Sequence, residues 1–307
     1  MTHTGTHRLQ VYLDFEIYEG HTSVTATLDV APRGSGEATP LLLHKGKHLT
    51  LDSVTVDGAA VATSEPEEGV VAVPVPEGKC IVVTRSTIRP EANTELEGLY
   101  RENSAASKNY LTQCEAEGFR EISPFIDRCE AGYEEGAALR GCRGGANCSS
   151  SFPRSPDNLS VYTVRVAASK TVCPVLLSNG DCADKGDLPD GRHFAVWHDP
   201  HPKPSYLFAL VAGDLVAREA PFTTKSGRAV TARVWTSAAE LPRSAWALES
   251  IVRAMRWDEE RFGLEYDLDQ FNVVATPDFN MGAMGACVCC LLRCFLESVT
   301  PCLCLCL

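Results

Sequence analysis

The chain has 307 residues, of which 44% are hydrophobic, and its formal net charge is −12 at pH 7. This length is sufficient for two domains with buried cores. The acidic balance, without any stripe of clustered Lys or Arg, excludes a nucleic-acid partner, because phosphate binding needs a basic surface.

The start of the chain and its apolar runs bear on location. Residues 1–7 lack the basic start and apolar segment of a secretory signal. No apolar run reaches the roughly 18 to 20 residues that a membrane helix needs. We therefore expect a disordered start at residues 1–7, a cytoplasmic location, no membrane partner and a monomer.

From residue 8 to residue 217 the sequence consists of short β-type runs separated by Gly, Pro, Asp and Asn. These runs alternate in polarity or are rich in β-branched residues, and Asp57-Gly58 is typical of a hairpin turn. Many short strands without a long helical pattern predict a mainly β domain, a saddle or sandwich, over 8–217. The predicted strands cover 11–17, 23–30, 49–56, 69–73, 80–84, 161–166, 175–178, 193–197 and 206–211.

Beyond Ala220 the periodicity changes. A strand is predicted at 230–235, and apolar residues at helical spacing predict an amphipathic helix over 241–262, capped by Gly263. Trp246, Trp257 and Phe262 are interpreted as packing residues of this helix. A further strand at 270–276 completes the evidence for a second, incomplete α+β domain over 218–285.

Two segments follow neither periodicity. Residues 129–155 are rich in Gly, Arg, Ser and Cys and would form a long loop without regular structure. Residues 286–307 contain seven of the 14 cysteines and end in a Cys-Leu repeat. We interpret the first as an anomalous insert and the second as an aberrant Cys-rich tail, although Cys clusters also bind soft metals or accept palmitate.

Three blocks carry a resemblance to a known family. They are Glu97-Gly-Leu-Tyr100, Tyr110-Leu-Thr-Gln-Cys-Glu-Ala-Glu-Gly-Phe-Arg120, and the stretch from Trp257 through Asn280-Met-Gly-Ala-Met284. Together they closely resemble the bacterial-type alanyl aminopeptidase (aminopeptidase N) branch of the gluzincin zinc metallopeptidases. The resemblance covers residues 8–284 apart from the insert, and it implies a β saddle followed by a thermolysin-like catalytic domain.

The resemblance also implies a substrate site. In the family, carboxylates of a Gln-x-Glu segment and of a Gly-Ala-Met-Glu-Asn motif hold the free α-amine of a peptide. Gln113 and Glu115 correspond to the first segment. Carboxylates at the end of a closed cleft stabilise an ammonium group, which favours cleavage at chain ends. The backbone of Gly282 and Ala283 would line the substrate, and Met281 and Met284 would lie beside it, Met281 as an apolar pocket wall.

The sequence departs from the family at Gly285, where the motif has its Glu. The His-Glu-x-x-His helix, the downstream zinc-binding Glu and the oxyanion-stabilising Tyr of the family are also missing from these 307 residues. Zinc hydrolysis needs three protein ligands, an open water position and a general base. We therefore expect no catalytic residues, no metal ligands and no turnover from this chain alone, although the full-length family uses zinc.

A second departure is the insert itself. The family runs without interruption from an Asp-Arg to a Pro-Asp, whereas here Asp127-Arg128 is separated from Pro156-Asp157 by residues 129–155. Our hypothesis is that the insert and the tail are translated noncoding sequence. A spliced transcript joining Arg128 to Pro156, and Met284 to a Glu-Asn codon pair, would support it; its absence would count against it.

Simpler interpretations stand beside these. Gln113 and Glu115 could be polar residues on an exposed strand edge, and Met281 and Met284 could be core fillers. His44 and His48 have the spacing of a helical zinc pair, but Gly46 and the β-type surroundings favour a solvated loop. His198 and His201 lie in a Pro-rich stretch and are interpreted as surface residues in a turn.

Two functions follow as expectations. The first is a fragment of a zinc aminopeptidase that acts on peptides with a free N-terminus. The alternative is a β domain that binds peptide N-termini or a protein partner without catalysis.

Overall fold

The structure of the chain is a computed structural model that describes residues 9–31, 40–103, 108–115, 117–127, 159–277, 279, 283–286 and 289–293. The insert at 129–155 and most of the Cys-rich tail lie outside these ranges. No helix in the described ranges is both long and apolar enough to cross a bilayer.

Strands dominate the described residues, which confirms the mainly β prediction. In chain order the first ten are β1 (Leu9–Tyr18), β2 (His21–Val30), β3 (Leu41–His44), β4 (Thr50–Val56), β5 (Ala59–Ala60), β6 (Ser64–Glu67), β7 (Val70–Val73), β8 (Cys80–Ile88), β9 (Gly98–Arg101) and β10 (Tyr110–Gln113). The next six are β11 (Ser160–Ser169), β12 (Val175–Ser178), β13 (Asp181–Asp187), β14 (Arg192–Lys203), β15 (Leu210–Gly213) and β16 (Val216–Thr223). The chain continues with β17 (Ala229–Thr236), α1 (Ala245–Phe262), β18 (Gln270–Thr276), β19 (Ala283–Ala286) and β20 (Cys289–Arg293).

The strands form sheets of eight, four, three and five strands within the described ranges. The largest has the order β13-β14-β11-β1-β2-β8-β4-β5, and β1 runs parallel to β11, pairing Leu13 with Val164. Alternate residues of β1 and β2 are buried, as expected for a sheet with one face on the core. The turn after β4 has positive φ at Asp57 (48°) and Gly58 (82°), which confirms the predicted hairpin.

The second part of the chain builds the five-stranded sheet β16-β17-β18-β20-β19. The predicted domain limit at 217 falls inside β16. Helix α1 begins at Ala245, after a 3-10 turn at Leu241–Ser244, and it ends at Phe262, where Gly263 with φ 69° forms the predicted cap. Cys289–Arg293, predicted to be part of an aberrant tail, pairs in parallel with β18.

Strand β18 is buried on both faces. Phe271 and Val273 pack with Leu248, Ile251 and Met255 of the helix. Val274, in contrast, joins the core of the first part of the chain, as does Phe279 further along. The two parts are therefore joined through packed apolar side chains.

Predictions about two groups of residues are wrong. Trp246, Trp257 and Phe262 do not pack inside, since they are 51%, 52% and 58% exposed. His198 and His201 lie in β14 and not in a turn. A register shift in the pairing of β11 with β14, between Ser160 and Tyr162, explains why the strand accommodates its prolines.

The run at 206–211 is also only partly a strand. Ser205–Leu207 forms a 3-10 turn, in which Phe208 N donates to Ser205 O at 3.0 Å, and the strand begins at Leu210. The turn places Phe208 in the core, where it is fully buried. We infer that burial of the Phe208 side chain selects a 3-10 turn at residues 205–207, where local β propensity had predicted a strand.

Gly180 provides a test of the tight connection between β12 and β13. It has a φ of 88°, and a Cβ built there would lie 2.0 Å from His198 O. Gly191 has a similar φ of 75° but nothing within 4 Å of such a Cβ. Gly191→Ala should cost about 1–2 kcal/mol from its backbone conformation alone. Gly180→Ala should cost clearly more, as measured by denaturant unfolding; equal losses would contradict the contact.

Candidate functional site

The candidate site begins at the end of β10. This strand lies between β9 and β15, with Gln113 paired to Gly98. The Thr112 hydroxyl accepts from Leu210 N at 2.7 Å and so fixes the strand to β15. Gln113 is 2% exposed, which excludes the simpler interpretation of this residue as part of an exposed polar edge.

Gln113 and Glu115 are held together by a direct contact. Gln113 Oε1 accepts a hydrogen bond from Glu115 N at 3.2 Å. Glu115 itself is half-buried, so its carboxylate retains access to solvent. The buried amide therefore orients the backbone at Glu115, and the carboxylate is left available for a cationic ligand.

The turn that follows is tight and needs a glycine. Gly118 N donates to Cys114 O at 3.0 Å, and a Cβ on Gly118 would lie 2.7 Å from Gln113 O. Burial, with a smaller contribution from the charge of Asp127, raises the pKa of the Cys114 thiol well above its usual value. Cys114 is thus a protonated core residue and not a nucleophile.

Beneath this turn lies a cluster of aromatic rings. The ring of Phe119 lies 4.8 Å from that of Phe125, 5.4 Å from that of Phe208 and 6.1 Å from that of Tyr162, measured between centroids. All four side chains are fully buried. The Gln113–Glu115 segment is therefore supported by a rigid apolar base.

A buried carboxylate fixes the other end of the segment. Asp127 Oδ2 accepts from Arg120 N at 3.0 Å, and Asp127 Oδ1 accepts from the Ser205 hydroxyl at 2.7 Å. Arg120 also pairs with Glu117 at 2.7 Å. These contacts link the residues that follow Glu115 to the chain before β15.

The second predicted half of the site is described only in part. Ala283 and Met284 lie in β19, where they pair with Leu292 and Leu291 of β20. Met281 and Gly282 lie outside the described residues. The convergence of this segment with Gln113 and Glu115 therefore remains a prediction.

A buried hydrogen-bond network that the sequence does not reveal links β9 to β18. These strands precede the two predicted halves of the site in the chain. Glu102, 1% exposed at the end of β9, accepts from Asn109 Nδ2 at 3.0 Å and from the hydroxyl of Thr276, the last residue of β18. The side chain of Asn109 fills the space beside Gly213, where a Cβ would lie 1.9 Å from Asn109 Oδ1. The partners are separated by up to 174 residues, so no sequence spacing indicates them.

The histidines of the described ranges do not form a metal centre. No group of three or more His, Cys, Asp or Glu side chains that could hold a metal ion is present there. His44 lies in β3 and pairs with Phe125, in contrast to the predicted loop, whereas His48 is exposed and lies 3.5 Å from Glu95. His198 accepts from or donates to the Thr163 hydroxyl at 2.9 Å, and His201 lies 3.1 Å from Asp267.

Known peptidases resemble this chain in sequence. Residues 246–296 match the family model described as "Peptidase family M1 domain". The chain is 42% identical over 275 residues to aminopeptidase N of Caulobacter vibrioides and 40% identical over 273 residues to aminopeptidase N of Escherichia coli. Each match covers 89% of this chain.

A solved structure agrees with these relatives. The crystal structure of Legionella pneumophila aminopeptidase A in complex with aspartic acid superposes with a TM-score of 0.75 at 27% identity, covering 94% of this chain and 30% of that one. The resemblance stated from the sequence is thereby confirmed: the chain is related to bacterial aminopeptidase N. It spans 28% of the length of the two curated relatives.

Proposed function

We propose that this chain supplies the amine-binding part of a zinc aminopeptidase that acts on peptides with a free N-terminus. The observation that carries the proposal is the contact between Gln113 and Glu115 in a chain 40–42% identical to aminopeptidase N proteins over 89% of its length. Glu115 would hold the substrate ammonium. The backbone of Gly282 and Ala283 would line the substrate, and Met281 and Met284 would lie beside it, Met281 as a wall of the first side-chain pocket.

The chemistry of the pair supports this role. A carboxylate binds an ammonium by charge-assisted hydrogen bonds, whereas a blocked amine loses both the charge and donors. The Gln113 side chain accepts from the Glu115 backbone N, so the position of the Glu115 backbone does not depend on a bound ligand. Peptides with a free amine are therefore favoured over acetylated ones.

Zinc is the metal that we propose for the whole enzyme. The described residues do not fit it, because no three suitable side chains converge there. The 307 residues contain no His-Glu-x-x-His motif. We therefore propose that this chain binds amines without hydrolysing peptides on its own. The purified chain incubated with zinc and an alanine-linked chromogenic amide should release only background colour, and zinc-dependent release would refute this part of the proposal.

Binding tests the amine site separately from turnover. Titration of the chain with a short alanyl peptide should show weaker binding for Glu115→Gln by about two- to fivefold, the effect of one partly exposed charge. Glu117→Gln is the matched control, because Glu117 is 41% exposed and contacts Arg120 instead. Acetylation of the peptide N-terminus should weaken binding to the unmodified chain at least as much as Glu115→Gln weakens binding of the free peptide. If neither acetylation nor Glu115→Gln changes the affinity, the proposed site is contradicted.

A further inference from the structure

A cavity of about 340 Å³ lies where three of the sheets meet. Its walls come from β12 of the four-stranded sheet, from the β13–β14 hairpin of the eight-stranded sheet, and from β17 and β18 of the five-stranded sheet. Junctions of this kind are common locations of small-molecule sites, and the volume falls in their usual range. Gln113 and Glu115 are not among the lining residues, so the cavity is separate from the amine site.

The walls of the cavity are mainly apolar. Trp197 and Trp235 line it together with residues such as Leu177 and Phe194. The indole N–H groups of both tryptophans are already used, by Leu176 O at 3.2 Å and by Asn272 Oδ1 at 2.9 Å. Trp197 is only 3% exposed, so the apolar surface open to a ligand comes mainly from the partly buried ring of Trp235, and neither indole offers a free hydrogen-bond donor.

The charge of the lining is opposite to that of the chain. Among the described residues, Lys185 and Arg233 line the cavity and no Asp or Glu does, although the chain has 40 acidic and only 28 basic residues. Arg233 is held by Glu219 Oε2 at 3.0 Å and by Gln270 Oε1 at 3.0 Å. The Lys185 ammonium makes no ion pair with the described residues. Lys185 is thus the cation most available to a ligand.

We propose that this cavity binds a small carboxylic acid with an aromatic or branched apolar body. The body would lie against Trp197 and Trp235, where it displaces water from apolar surface. The carboxylate would lie at the Lys185 side, where it gains a charge-assisted contact that neither a neutral amide nor an amine can make. The proposal is independent of the peptidase function, because it uses none of the residues assigned to the amine site.

The position of the cavity couples this ligand to the junction between the two parts of the chain. Asp181, next to the lining residue Cys182, accepts from Asp269 N at 3.1 and 3.2 Å, and Asp269 precedes the lining residue Gln270. A ligand that contacts both Cys182 and Gln270 spans the same junction. Its binding should therefore raise the thermal midpoint of the chain.

The test is titration of the full chain with 3-phenylpropionate, followed by ligand-observed NMR and tryptophan fluorescence. A ligand of this size should bind with a Kd on the order of 1 mM. The neutral 3-phenylpropanamide and the cationic 3-phenylpropylamine should bind at least about fivefold more weakly. Lys185→Gln should weaken 3-phenylpropionate binding by a similar factor, whereas Lys79→Gln, a change of another exposed lysine, should leave it unchanged.

Three results would overturn the proposal. One is the absence of 3-phenylpropionate binding at about 10 mM, well above the expected Kd. Another is equal binding of the amide. The third is an equal effect of Lys185→Gln and Lys79→Gln, which would show a response to overall charge and not to this site. Because Lys185 is exposed, its substitution should leave the far-UV circular dichroism spectrum unchanged.

Discussion

Phe119→Ala is expected to lower the free energy of unfolding by about 3–5 kcal/mol, the usual cost of removing a fully buried aromatic ring. Phe119 contacts the rings of Phe125, Tyr162 and Phe208, and none of these four side chains is exposed. The surrounding rings come from three separate segments of the chain and cannot collapse freely into the space. Denaturant unfolding followed by circular dichroism measures the loss.

Phe262→Ala is the matched control for this prediction. It removes the same side chain from a position that is 58% exposed at the end of α1. The expected change is within about 0.5 kcal/mol. A loss at Phe262 as large as that at Phe119 would show that the described packing is wrong.

The Phe119→Ala variant also bears on the proposed amine site. Phe119 follows Glu115 by four residues, and the tight turn at Gly118 connects them. Loss of the ring should therefore loosen the segment that orients the Glu115 carboxylate. If the variant remains folded under binding conditions, its affinity for a free alanyl peptide should fall by at least as much as in Glu115→Gln.

Lys203→Met is the second change with a large expected effect, a loss of about 3–5 kcal/mol. Lys203 Nζ lies 2.6 Å from Asp199 Oδ2, and the two side chains are 1% and 0% exposed. The ammonium also lies 5.1 Å from the centre of the Tyr162 ring. Methionine fills a similar volume. The loss of stability therefore measures the cost of leaving the buried Asp199 carboxylate without its cation.

A second substitution separates charge from packing. Asp199 Oδ1 accepts from His201 N at 2.9 Å, and asparagine can keep this acceptor. The double variant Lys203→Met with Asp199→Asn should therefore recover at least half of the loss, because residue 199 then carries no buried charge that lacks its cation. Chemical unfolding of the single and double variants gives the coupling energy. No recovery would mean that Lys203 acts through packing alone.

The exposed pair Lys170–Asp187 serves as the comparison. Its atoms also lie 2.6 Å apart, but the side chains are 55% and 70% exposed. Lys170→Met should change stability far less than Lys203→Met, since exposed ion pairs contribute little. The two ion pairs have the same N–O distance, so their different contributions to stability would then result from burial.

Strands were predictable where one face of a sheet is buried. The alternation in residues 11–17 and 23–30 corresponds to β1 and β2, in which every second side chain faces the core. The Asp57-Gly58 turn and the Gly263 cap were predictable because both require positive φ, which few residues adopt without strain.

The sequence was less informative where long-range packing decides. The exposed aromatic residues of α1 look like core residues in composition, and only the position of the neighbouring sheet shows that Trp257 and Phe262 face away from it. The strand conformation of His198 and His201 depends on pairing with β11, which the nearby prolines conceal. Sequence patterns record local preference and cannot report which partner a face meets.

For the candidate site, the sequence by itself determined the Gln113–Glu115 segment and its family resemblance, because both depend on residue types at short spacing. Only the tertiary structure decided that Gln113 is buried against the Glu115 backbone, that Glu102 joins Asn109 to Thr276, and that a basic, apolar cavity lies between the sheets. The physical reason is that hydrogen bonds and cavities form between segments far apart in the chain, where spacing carries no information.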